Sequence, residues 1–312
     1  RPGRCPGSCG HGQGLRPGGG GRPPGLSGRP GTGTASRLRL LPVNGVFGVE
    51  MSTHLYHYTN NEAFIKIIIN NCLRLSHFYF QNDPNELRYG LDLLLETRDE
   101  MEKICAGAKE YIETIAHESV EIEGLPIFTF SLSEKDDLLS QWRGYGSGNK
   151  SVCIGLIKDD LKNILNDNII KIDISKVIYD KNDQMDKLIE YFKQRNELYK
   201  NTNAMSLSLL ANLSNYSDLI NIIIEFKHNK WEEEQEWRLI AATKDDSMVN
   251  FLGDSKWLKP YIDLKYDKIP ITNIKIPRSG YENKNKSSIE MFLIARGKEK
   301  IAVNISDIPI VY

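Results

Sequence analysis

Apolar and polar positions change their beat several times along this chain. In "HLYHYT" (54–59) aromatic and polar residues alternate, which predicts a short strand. "NEAFIKIIINNCLRL" (61–75) follows, with Phe64, Ile65, Ile68 and Ile69 at helical spacing and Asn61 suited to the cap. Over 82–116, Leu87, Leu91, Leu94, Met101, Ile104, Ala108, Tyr111 and Ile115 keep a helical period that Gly107 interrupts. That helix has a start signal, with Asp83 at N-cap, Pro84 at the first helical position and Glu86 at the third. "LPIFTFSL" (125–132) predicts a strand, 136–145 a short helix, 151–157 a buried strand, 158–166 a helix and 169–180 a strand. Residues 183–228 read as two helices with a break near 200–204. Strands follow at 236–242, 261–267 and 271–276, then a helix near 287–296 and a last strand within 300–311. Strands and helices mix without a regular β-α-β beat, so the class expected is α+β.

Composition divides the chain. Residues 1–50 hold 15 of the 25 glycines, 7 of the 13 prolines and seven arginines, with no lysine and Glu50 as the one acid. Such a stretch has too little to bury to offset its ordering entropy, so it reads as a disordered extension foreign to the rest, with Met51 as the natural start. Its rival reading is a basic tail for nucleic acid. Its +6, subtracted from the whole-chain −1, leaves −7 for residues 51–312. That acidic balance argues against broad binding to a phosphate backbone. The 262 residues from Met51 onward suffice for one domain with a helical insertion around 183–230. No apolar run approaches a membrane span and no signal peptide follows Met51. Cys72, Cys105 and Cys153 are isolated and read as buried thiols of a reduced, cytoplasmic compartment.

Candidate chemistry gathers in three segments, because common signatures are missing. There is no P-loop, no zinc-ligand spacing and no G-x-S-x-G elbow. No metal ligands are assigned. Asp83 and Glu86 superficially suit a metal-dependent nuclease, yet helix capping explains them. In "LYHYT", His57 points away from Tyr56 and Tyr58 if the segment is a strand. In "FTFSLS", Thr129, Ser131 and Ser133 share one face, while Phe128, Phe130 and Leu132 share the other. A half-exposed sheet gives this pattern, and so does a groove lined by hydroxyls. "SQWRGY" then places Arg143 between Trp142 and Tyr145, a set suited to a stacked ring and a phosphate, with core packing the alternative for Trp142. In "WEEEQEWRLI" (231–240) the turn or helix gives way to a strand within the acids. On a strand Glu234 and Glu236 share a face, and their proximity raises one pKa. Trp231, Glu232 and Glu233 then only finish the turn.

Taken in order, "NDPNE", "FSLS", "QWRGY", "KHNKWEEEQEWRLI" and "SDIPIVY" resemble a widespread bacterial family of unknown function over most of 51–312. The start "LYHYTNNEAFIKIIINNCLRLS", with Ser131-Leu132-Ser133 and Glu234-Gln235-Glu236, also resembles ADP-ribosyltransferase-like domains. Those open with a strand bearing His or Arg, then a helix, then a short strand. The resemblance implies a mixed-sheet core and NAD as substrate. It implies Glu236 as the carboxylate facing the ribose, with Glu234 orienting an acceptor or water. His57, Tyr58, Ser131, Ser133, Trp142, Arg143 and Tyr145 would bind the cofactor. A protein or nucleic-acid acceptor, and a role as toxin or phage-defence effector, belong to the same implication. The alternatives are a non-enzymatic module that binds a nucleotide or partner, and a metal-dependent nuclease using Asp83 and Glu86.

Overall fold

A computed structural model describes residues 54–81, 85–117, 124–145, 151–202, 213–253 and 258–309. The extension at 1–50 lies outside them, and so do Asp83 and Pro84 of the expected helix start. Strand β1 (His54–Asn60) leads into helix α1 (Asn61–Asn70). The cap is Asn60 rather than Asn61, its side chain accepting from the Ala63 N–H. The helix also stops earlier than its periodicity suggests. Asn71 turns left-handed at φ 46°, ψ 45°, and the chain leaves as strand β2 (Cys72–His77). The long helix expected at 82–116 is two, α2 (Asn85–Ile104) and α3 (Ala108–His117). They are separated at Gly107, whose φ of 85° few other residues accept.

Strand β3 (Ile127–Ser133) is the hub of the sheet. One edge pairs along its whole length with β6 (Glu236–Thr243), which β5 (Ile169–Lys176) extends. Two strands share the other edge. Ser133 lies opposite Tyr56 of β1, while Phe128 and Thr129 lie opposite His77 and Ser76 of β2. Residues 130–132 have no strand partner on that side. From β1 the sheet continues through β4 (Ser151–Ile157), β9 (Ile271–Arg278) and β10 (Ala302–Pro309). From β2 it continues through β8 (Leu258–Lys265) and β7 (Asn250–Gly253), an exposed strand that no hydrophobic alternation announced. The class is α+β with a mixed sheet, since only β9 and β10 among these neighbours run parallel. The helix expected at 158–166 is a single 3-10 turn, Asp159–Lys162.

Alternation assigns the faces of β3 and β6. Phe128, Phe130, Leu132, Leu239 and Ala241 join one core with α1 and α7 (Glu282–Ile294). Ile127 and Ile240 face the other way, into a core built with α2, α3, α5 (Lys181–Thr202) and α6 (Leu213–Ile223). Helices α5 and α6 therefore pack against the central strands. Approach is close at Gly90 of α2, where a β-carbon would meet Ile223 of α6 at 3.0 Å. Cys72, Cys105 and Cys153 are buried and unbridged. No helix among the described residues is long and apolar enough to cross a membrane.

Candidate functional site

The division of the sheet at β3 makes a gap, and the gap is a cleft. On the edge where 130–132 lack a strand partner, the Ser131 carbonyl needs a donor. His57 of β1 supplies it, with Nδ1 2.9 Å from that oxygen. A carbonyl only accepts, so Nδ1 carries the hydrogen and Nε2 is left as an acceptor. The ring stacks on Phe130 with centroids 4.0 Å apart. Burial lowers the His57 pKa to about 4, the bond to Ser131 offsetting this only in part, so the imidazole is neutral at pH 7.

Three adjoining lobes open around this point, all sharing Ser131 and Tyr145. The smallest, about 40 Å³, holds His57, Gln141, Glu234 and Glu236. A second of about 420 Å³ is walled by Gln81, Glu86, Lys227, Trp231 and Glu234. A third of about 280 Å³ reaches past Gln81 and Thr129 to Lys66 and Arg74. The larger lobes approach or fall within the ~300–1,000 Å³ typical of small-molecule sites. Gln81, donating to the Thr129 hydroxyl at 2.6 Å, stands where these two larger lobes meet. His57, Ser131 and Glu236 therefore border one cleft from three neighbouring strands. A separate cavity of about 440 Å³ near α5 and α6 shares none of these residues, and its charges are paired locally, as in Arg195–Asp218 at 2.8 Å.

A cluster of charges forms the floor. The Lys227 ammonium meets Glu234 at 2.7 Å and Glu236 and Glu86 at 2.9 Å each, one carboxylate for each N–H. Arg238 grips both oxygens of Glu236, at 2.9 and 3.0 Å, and reaches Glu86 at 2.8 Å. Its remaining nitrogen donates to the Ile224 carbonyl. Burial alone would raise the Glu236 pKa, but Arg238 and Lys227 overcome it and hold the carboxyl at about 2. Glu234 is shifted the opposite way. Burial raises its pKa, and Lys227 offsets this only in part, with Glu236 and Glu86 adding to the rise. Burial, then Glu234, push the Tyr145 hydroxyl up to about 12.

The two glutamates do not share a strand face as expected. Glu234 ends a 3-10 turn (Asn229–Glu234), Gln235 is left-handed at φ 44°, ψ 51°, and β6 begins at Glu236. They converge because that kink and Lys227 bring them together. Ser133 fixes the kink, donating to the Glu234 carbonyl at 2.7 Å, so its hydroxyl is committed to backbone. Tyr58 borders the small lobe, but its hydroxyl donates to the Lys135 carbonyl and accepts from the Leu138 N–H. Trp142 is the clearest correction. It is fully buried, packs edge-on against Tyr58 and donates to Asp137 at 2.8 Å, leaving no face for a ligand. Arg143 is exposed and borders none of the three lobes. Trp231, read as merely finishing a turn, instead walls the largest lobe with 46 % of its surface exposed.

Lys227, Arg238 and Gln81 escaped the sequence reading as site residues, and Glu86 entered it only as a helix cap or a nuclease acid, not as a partner of this cleft. The one available signal was Glu236-x-Arg238, a pair that must share a face on a strand. Among the described residues, no group of three His, Cys, Asp or Glu side chains is arranged to hold a metal ion. Glu86, considered for a nuclease, lies against two cations that would repel a divalent metal.

Residues 141–239 match the model of a family described as protein of unknown function (DUF2971). The similarity is narrower than the motif resemblance over most of 51–312. It carries Tyr145, Lys227, Trp231, Glu234, Glu236 and Arg238, and leaves out His57, Glu86 and Ser131. No curated protein and no solved structure matches the chain.

Proposed function

We propose that this chain binds NAD in the β3 cleft and breaks the bond between nicotinamide and ribose. ADP-ribose then passes to a protein or nucleic-acid acceptor, or to water. The reading rests on one observation: neighbouring strands, with the turn that leads into β6, bring a neutral His57, Ser131, Glu234 and Glu236 to one cleft. In the reaction the ring nitrogen keeps the bonding electron pair and leaves as neutral nicotinamide. The ribose carbon is left with oxocarbenium character and takes a lone pair from the acceptor, which gives up its proton. Negative charge held in a site of low water content stabilises that cationic state. His57 Nε2, as an acceptor, suits a ribose hydroxyl, and Tyr145 offers a ring surface. Such an activity fits a toxin or phage-defence effector.

The test is to incubate the full chain with NAD and cell lysate and follow free nicotinamide and ADP-ribose label. Release is expected in the wild type, with a fall of about 100-fold or more when the glutamates are changed together, Glu234→Gln with Glu236→Gln. Absence of release with every lysate, or release unchanged in that double variant, defeats the reading. A binding module without chemistry is favoured by one observation, that both oxygens of Glu236 are already taken by cations. It is distinguished by calorimetric binding of NAD with no nicotinamide released.

A further inference from the structure

The three carboxylates of the cluster have six oxygens, and five are claimed. Lys227 takes Glu86 Oε1, Glu234 Oε2 and Glu236 Oε2; Arg238 takes Glu86 Oε2 and both oxygens of Glu236. No described residue donates to the sixth, Glu234 Oε1. Glu234 borders both the small lobe with His57 and the 420 Å³ lobe. That larger lobe also holds two half-open aromatic rings, Trp231 at 46 % and Tyr145 at 40 % exposure. The cluster is one negative charge in excess, with three carboxylates against Lys227 and Arg238. The Lys227 ammonium stands over one side of the Trp231 ring, 5.3 Å from its centroid, with its three N–H groups matched by three carboxylates.

Half-exposed rings lining the same lobe as a carboxylate with an unclaimed oxygen suit a flat cation. The ring quadrupoles attract the positive charge and the carboxylate complements it. We propose that Trp231, Tyr145 and Glu234 Oε1 form a binding site for a flat ring cation of the N-alkylpyridinium kind. Glu234 is then the carboxylate that meets the ligand, and Glu236 is the positioning residue that holds Lys227 and Arg238 in place. The proposal deepens the NAD reading, because nicotinamide carries this charge only while bonded to ribose. Once the ring nitrogen recovers the bonding pair, the product is neutral and loses the attraction that held it.

The probes are 1-methylnicotinamide, a permanent cation, and nicotinamide, its neutral counterpart. Each is titrated into the full chain by calorimetry and tryptophan fluorescence, with thermal unfolding of every variant measured alongside. The cation is expected to bind about tenfold or more tightly than the neutral ring. Glu234→Gln should remove most of that preference, and Trp231→Leu should weaken the cation about fivefold or more. Should Glu234→Gln fail to fold, Trp231→Leu at the open wall still decides. Equal affinity for the two probes, no binding of the cation at millimolar concentration, or Trp231→Leu binding the cation as wild type does overturns the proposal. Cation binding without nicotinamide release from NAD sinks the NAD reading and leaves the ring site standing. NAD turnover with Trp231→Leu unchanged in KM and in cation affinity does the reverse.

Discussion

Two polar knots tie distant stretches of this chain together, and they are finished differently. At Asp137, one oxygen accepts from the Trp142 indole at 2.8 Å and the Ser306 hydroxyl at 2.6 Å, while the other accepts from the Asp307 N–H at 3.0 Å. This knot fastens α4 (Leu139–Tyr145) to the last strand, β10, and borders none of the cleft lobes. At Lys227 and Arg238, three carboxylates meet two cations, one oxygen stays unclaimed, and a cavity lies beside it. A saturated knot holds the fold and has nothing left to offer a ligand. An unsaturated one beside open space keeps an interaction in reserve. Both combine residues far apart in sequence, so distance does not separate the knot that holds the fold from the one proposed to meet a ligand. The count of satisfied atoms does.

The sharpest way to break the comparison is Lys227→Met. Removing this ammonium leaves Arg238 alone to balance Glu86, Glu234 and Glu236 in a buried setting. Loss of one partner from a buried charge group costs about 3–5 kcal/mol. For a domain of this size the melting temperature should fall on the order of 10 °C. Thermal unfolding by circular dichroism measures it, and part of the loss should return on mild acidification as carboxylates take up protons. A fall of only a degree or two would mean that Lys227 does not hold the cluster.

Acid acts on the same cluster more gradually. Glu236 is held at about 2, below its ordinary 4.5, because Arg238 and Lys227 outweigh its burial. A depressed carboxyl contributes stability that is fully present above its unfolded pKa and is lost as pH falls through the folded one. The loss should therefore run between about 4.5 and about 2. Glu234 has the opposite sign, since its raised pKa lets the folded state take up a proton first, which offsets part of the loss at the upper end. Urea midpoints for wild type and Glu236→Gln, measured from pH 6 downward, should converge as the pH drops. Curves that stay parallel throughout would show that Glu236 is not the group responsible.

Local pattern made much of the fold legible. The period of two in "FTFSLS" placed Phe128, Phe130 and Leu132 in the core and Ser131 toward the cleft, because alternation on a strand allows nothing else. Gly107 was legible as a helix break for a similar reason, its backbone freedom being local. The end of α1 at Asn71 was not, since Asn at a left-handed position is a minority choice that no period marks. The candidate site was legible only where a cleft residue is a titratable group in a short motif, such as His57, Glu234 and Glu236. Trp142 was misread because a ring beside Arg143 has the same letters whether it stacks on a ligand or on Tyr58. Lys227, Glu86 and Trp231 gain their places from the division of the sheet at β3 and from the kink at Gln235, neither of which composition or spacing announces.

The gentlest test uses the other knot. Asp137→Asn keeps the shape and one carbonyl oxygen, which can go on accepting from Trp142 and Ser306. Its amide nitrogen then faces the Asp307 N–H, a donor against a donor. That bond is exposed and water can take up the freed N–H, so its loss costs about 0.5–1.5 kcal/mol, and the melting temperature should fall by only a few degrees. Affinity for 1-methylnicotinamide should stay at the wild-type value, because no atom of this knot borders the lobe walled by Trp231 and Glu234. A variant that lost cation binding along with its modest stability would show the knots to be coupled, through α4 and Tyr145 at its end, and the division between a structural and a functional knot would fail.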